Sequence, residues 1–160
     1  MIIIESIVLC ILFTIMVYIN SLNPIKELYN YPPKIQERVK SIKEYKNKIP
    51  TKNDKIFSKL LASIIIIILI SLILRYINGY TTFIDSFLNG FLIWTIINAY
   101  DMVVLDIIWF CHDPRYIIKG TEDMTKEYHN YWFHIKGSLI GELIGLIVCL
   151  ISALIVGVVL

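Results

Sequence analysis

The sequence predicts an all-α protein, an integral membrane bundle of four transmembrane helices with a short amphipathic cytoplasmic helix after the first span. Three observations predict it. Of 160 residues, 57% are hydrophobic and only 18% charged, with a mean hydropathy of +0.69, a composition unlike that of soluble domains of this size. Apolar stretches of about 18 residues or more, enough to cross a bilayer as a helix, recur along the chain. Strand-type alternation is absent, and in a bilayer such segments satisfy their backbone hydrogen bonds as helices. A single membrane domain is expected over residues 1–160.

The first span covers about residues 2–19, interrupted by Glu5, Ser6 and Thr14. No basic segment precedes it and no small-x-small site follows, so it reads as a retained span and not a cleaved leader. Asn20 to Pro24 ends it. The second covers about 60–77, with Arg75 near enough to the end to snorkel. The third, about 83–110, carries Asp85, Asn89, Asn98, Asp101 and Asp106. The fourth, about 135–160, has Glu142 as its one clear charge.

Charge then orients the spans. The loop at about 20–59 holds ten of the 15 Lys and Arg against Glu27, Glu37, Glu44 and Asp54, a net of six positive charges. The loop at about 111–134 adds Arg115, Lys119 and Lys126, while residues 78–82 carry no charge. The positive-inside rule places both long loops in the cytoplasm and both termini outside, in a multi-pass protein of the cell (plasma) membrane.

In the first loop, Asn23 followed by Pro24 offers a helix start, and Tyr31-Pro32-Pro33 interrupts it. Residues 34–48 read as a second, amphipathic helix with Ile35, Val39 and Ile42 on one face. The basic loop at 26–59 is expected to lie on the anionic inner leaflet, each near-surface Lys or Arg contributing roughly 1 kcal/mol. The simpler reading is that these charges set topology alone. Nucleic acid is not expected as a partner of a short membrane-tethered loop, despite Tyr29, Tyr31 and Tyr45.

The second loop holds all three histidines, His112, His129 and His134. Thr121 is a candidate cap for a short helix at Glu122. Tyr128, Tyr131, Trp132 and Phe133 sit where an interfacial aromatic belt belongs. Cys10, Cys111 and Cys149 are dispersed, with no CxxC pair, so neither a zinc ribbon nor a disulfide framework is indicated.

At 100° per residue, Gly90, Trp94, Asn98, Asp101, Leu105, Trp109 and His112 share roughly 100° of the third span, with Asp106 beyond this arc. A carboxylate within a span is costly unless it faces the bundle interior, a partner or water. The fourth span answers with Gly137, Gly141, Gly145, Cys149, Ala153 and Gly157 at every fourth position, a ridge that allows close helix approach to the third span or to a second copy in a homodimer. His134, Ser138 and Glu142 lie beside it.

The candidate polar site therefore comprises Asp101, Asp106, His112, Glu122, His134 and Glu142, with Asn98 and Arg115 as partners. The first reading is a structural or interaction protein whose buried polar pairs set register. The second is a small transporter or ion- or proton-conducting element using Asp101 and Glu142. The third is a membrane-interface enzyme acting on a lipid-like substrate, with His112 or His134 as acid/base and an Asp orienting it. GxSxG, HExxH, P-loop and GxGxxG motifs are absent. No cofactor or metal is predicted, because His129 and His134, five apart, point to different helix faces and do not form a haem pair.

Four blocks carry a resemblance: Tyr31-Pro-Pro-Lys-Ile-Gln-Glu-Arg-Val39, Asp101-Met-Val-Val-Leu-Asp106, Gly120-Thr-Glu-Asp123 and His134-Ile-Lys-Gly137. Together they resemble an uncharacterised group of small four-span integral membrane proteins from bacteria and archaea. The resemblance covers most of the chain and implies the architecture without an activity. It draws attention to Asp101, Asp106, Glu122 and His134.

Overall fold

The computed structural model describes residues 1–159; the last residue of the fourth expected span, Leu160, lies outside the described residues. Among the described residues all regular structure is helical. Four helices are long and apolar enough to cross a membrane. α1 is Ile2–Ser21, and α2, Pro33–Ser41, follows in the first loop. α3, Lys52–Leu72, continues as a π-helical turn at Ile73–Ile77. α4, Phe83–Tyr100, continues as a longer π-helical segment at Asp101–Phe110. α5 is the single turn Thr125–Tyr128, and α6, Tyr131–Leu154, ends in a π-helical turn at Ile155–Val159.

α3 begins eight residues before its apolar stretch because Thr51 and Asp54 form a capping box, each side chain bonding the other's backbone N–H. α6 likewise begins early, with the Asn130 side chain accepting from Phe133 N. α4 and α6 are the central pair of the bundle, with α3 packed on α6 and α1 on α4. The core between them joins Ile70, Leu74, Val148 and Val156, flanked by Trp94. Outward positions such as Ile3, Leu139 and Leu143 are apolar and more than 60% exposed.

The small-residue ridge packs on α4 of the same chain. Gly145 lies against the Trp94 indole, Gly141 against Asn98 and Gly157 against the Phe83 backbone; Cys149 and Ala153 are fully buried. Gly137 departs from this pattern, since the space where its Cβ would sit is empty.

The two long loops fold against each other at one end of the bundle. Leu28, Tyr31, Ile35, Val39, Phe110 and Tyr128 form a common core. The ion pairs Lys34–Glu127 (2.6 Å) and Arg38–Asp123 (3.1 Å) tie α2 to the second loop. Several expectations are corrected here. The apolar face of α2 is covered by protein, with Ile35 and Val39 at 0% exposure, so any leaflet contact of this loop falls to its lysines. α2 also stops at Ser41, where Ile42 becomes extended and Tyr45 turns in to donate to Lys119 O. No helix starts at Asn23. Residues 23–28 form turns through i→i+3 backbone bonds, which lets Leu28 and Tyr31 bury. Thr121 caps nothing: its hydroxyl donates to Ile118 O and meets the Tyr128 hydroxyl in the loop core. Tyr128 is therefore core and not interfacial belt, whereas Tyr131 and Trp132 remain exposed.

Arg115 pairs with its neighbour Asp113 and with neither span carboxylate. Asp113 also accepts from Trp109 Nε1 at 2.7 Å, and the guanidinium lies over the Tyr18 and Trp109 rings. The Arg115 side-chain hydrogen bond is the main reason the Asp113 carboxyl is held well below the ordinary range. A depressed folded-state pKa stabilises above the unfolded value, about 3.9, and that contribution is lost as pH falls through the folded value. Asp113→Asn should thus lower thermal stability at pH 6. The gap from wild type should narrow as pH falls below about 4, read by melting in detergent across pH.

Candidate functional site

A cavity of about 460 Å³ opens between the second half of α1, the first loop, the π-helical segment and the start of α6. Its polar wall holds Asn98, Asp101, Asp106, His134 and Ser138, and Lys59 and Glu27 lie toward the loops. Phe13, Tyr31, Phe110 and Phe133 supply aromatic walls.

The π-helical segment assembles this polar wall. Five α-helical steps of 100° would set Asp101 and Asp106 about 140° apart. In i→i+5 bonding, residues five apart come onto one side of the helix, much as residues four apart do in an α-helix. The Cys111 N–H accordingly donates to Asp106 O at 3.1 Å. Past Asp101 the expected arc keeps Leu105, which also lines the cavity, but its further course changes. Asp106 joins the cavity, and His112 leaves it.

His134 is 3% exposed. Its Nδ1 lies 3.2 Å from Asp106 Oδ2, and its ring sits against Phe110 and Phe133 at centroid distances of 5.0 and 5.2 Å. Its Nε2 is buried and has no hydrogen-bond partner. A carboxylate beside Nδ1 favours the proton there and leaves the lone pair on Nε2.

Glu142 stands one layer deeper and is fully engaged. It accepts from Thr95 Oγ1 and from Asn98 Nδ2, the latter at 2.7 Å. Asn98 Nδ2 also reaches Ser138 O at 3.1 Å, and Trp94 Nε1 donates to Gly141 O at 3.2 Å. This is a polar lock between α4 and α6. Thr95 was not among the candidate residues, although it stands three positions before Asn98 on a helix carrying few other hydroxyls. Lys59 was likewise missed, since the sequence placed it only among the charges that set topology.

A second, apolar cavity of about 390 Å³ adjoins the first. The two share Phe13, Met16, Asn98, Asp101 and Gly141.

The remaining candidates lie elsewhere. His112 is exposed, with Nδ1 3.0 Å from Ile107 O and Nε2 3.3 Å from the Tyr131 hydroxyl. Glu122 accepts from Gly120 N at 2.8 Å in an exposed turn. Cys111 is buried beneath the loops, and burial pushes its thiol up to about 11, leaving it protonated and unreactive near neutrality. Among the described residues no group of three or more His, Cys, Asp or Glu side chains is placed to hold a metal ion. Comparison with known families, curated proteins and solved structures finds no match.

Proposed function

We propose that the protein binds the polar head of a membrane amphiphile at the cytoplasmic face and holds it against Asp106 and His134, a pair suited to proton transfer. One observation carries this reading. His134 lines a cavity of about 460 Å³, and its Nε2, shielded from solvent, goes without a partner among the described residues. An unsatisfied buried polar group costs about 1–3 kcal/mol, and an apolar residue would fill the same place in a purely structural bundle. A ligand group that hydrogen-bonds to Nε2 offsets that cost. The carboxylate behind the ring stands on the side of Nδ1 and leaves Nε2 as the nitrogen that can exchange a proton with a ligand.

The positive-inside rule supports a cytoplasmic position for this cavity, because the two basic loops close over that end. Lys59 beside the cavity and the lysines of the first loop fit a surface bathed by anionic lipid head groups. The transport reading draws less support. Its second carboxylate, Glu142, is already bound by Thr95 and Asn98, and beyond Asp101 the adjoining cavity is apolar.

Native mass spectrometry of protein purified in mild detergent tests the proposal. Wild type should retain a discrete amphiphile. His134→Phe, which keeps an aromatic ring and removes both nitrogens, should lose most of it while the protein still folds. His134→Gln should retain an intermediate amount. An identical lipid complement in all three proteins would sink the proposal.

A further inference from the structure

We infer that the apolar groove between α1 and α3 is the chain-binding half of this site, and that it takes one hydrocarbon chain of the amphiphile, admitted sideways from the bilayer. The inference rests on the head-group reading above and adds the ligand class: an amphiphile recognised through a single chain.

The helix packing leaves the groove. α1 is seated on α4, and α3 on α6. At one end α1 is linked to the residue after the π-helical turn that continues α3, where Asn78 Nδ2 donates to Glu5 Oε2 at 3.0 Å. Between them lies a volume of about 390 Å³, lined by Leu12, Met16, Ile66, Leu69, Ile70 and Ile97. Leu12 and Leu69, one from each helix, are 56% and 45% exposed. The groove is therefore flanked by apolar side chains on its open side, where lipid would lie.

Continuity identifies the occupant. At its inner end the groove meets the polar cavity, and Asp101 and Asn98 line both. A molecule filling the two spaces is polar at the His134 end and apolar beyond Asp101, which is the order of groups in a lipid-like amphiphile. Length sets how much of the chain is held. Ile93 and Asp101 bound the groove along α4, and eight residues of helix rise about 12 Å. A saturated chain with bonds of about 1.5 Å at about 111° advances about 1.25 Å per carbon, so about eight to ten carbons span the groove. The remainder leaves through the open side. A second chain, where the ligand has one, stays in the bilayer.

Photolabelling in vesicles tests this with a mono-acyl glycerol carrying a diazirine in mid-chain. Adducts on peptides bearing Leu12, Leu69 and Ile97 should exceed those on Leu139 and Leu143, the outward face of α6, several-fold. Excess unlabelled mono-acyl glycerol should suppress the groove adducts alone, a control that needs no variant. Leu12→Trp with Leu69→Trp should abolish the enrichment. Equal labelling of groove and outer face overturns the inference, as does enrichment that survives both competition and the tryptophans. If His134→Phe still loses its amphiphile in that case, the head-group reading survives alone. If the groove is labelled but His134→Phe retains its amphiphile, the head-group reading has failed while the groove binds chains.

Discussion

Gly145→Ala is expected to cost the bundle about 3–5 kcal/mol, as much as a large core truncation. A methyl group at this position would sit inside the Trp94 indole, and the nearest atoms are the ring nitrogen and its two neighbours. The indole cannot simply yield. It lies between the two central helices, flanks the core that α3 and its turn share with α6 and donates to Gly141 O. Turning the ring away breaks that bond and leaves a void, while keeping it forces α4 and α6 apart along their whole contact. Gly137→Ala is the matched control. It makes the same change on the same ridge, but where its Cβ would sit there is nothing within 4 Å. It should stay within about 0.5 kcal/mol of wild type. Thermal unfolding in detergent with near-ultraviolet circular dichroism reads both. Adding Trp94→Leu should recover part of the Gly145→Ala loss, since neighbouring changes are not additive. Equal effects at Gly137 and Gly145 would mean that the ridge meets something other than α4.

The four long apolar helices and their order were legible because length and hydropathy are local properties of the sequence. The small-residue ridge was equally plain, since a four-residue recurrence of Gly and Ala has few uses besides close packing. The polar wall of the cavity was only half legible. Asp101 and Asn98 fall on the expected arc, whereas Asp106 joins it through a change to i→i+5 bonding that the apolar pattern of Met102 to Phe110 does not encode. His134 could be named from the sequence, but its pairing with Asp106 depends on that same change of register. The loops misled for a different reason. Ile35 and Val39 announce an apolar face without saying what covers it, and the cover comes from Phe110 and Tyr128, more than 70 residues away. A basic amphipathic helix on a lipid surface and one under a second loop have the same sequence pattern.

Asn98→Leu should destabilise the protein by about 3 kcal/mol, and adding Glu142→Leu should restore most of the loss. Glu142 is held between two apolar helices by accepting from Thr95 and Asn98. With Asn98 gone, one carboxyl oxygen loses its donor, and a partly buried polar oxygen left without a partner costs more than the hydrogen bond itself contributed. Removing the carboxylate as well removes that penalty, since replacing both partners of a buried polar pair by apolar groups is often close to neutral. Recovery in the double variant, measured as a coupling energy from thermal unfolding in detergent, marks Glu142 as a register lock. Asp101→Asn and Asp106→Asn should behave differently. Both residues line the open cavity, and replacing either should leave stability within about 1 kcal/mol while reducing the retained amphiphile. Large stability losses at Asp101 and Asp106, matching that at Asn98, would place both carboxylates with Glu142 in one structural network and leave the cavity without a chemical role. The partition of these carboxylates is therefore the sharpest division between a bundle that merely holds itself together and one that holds a ligand.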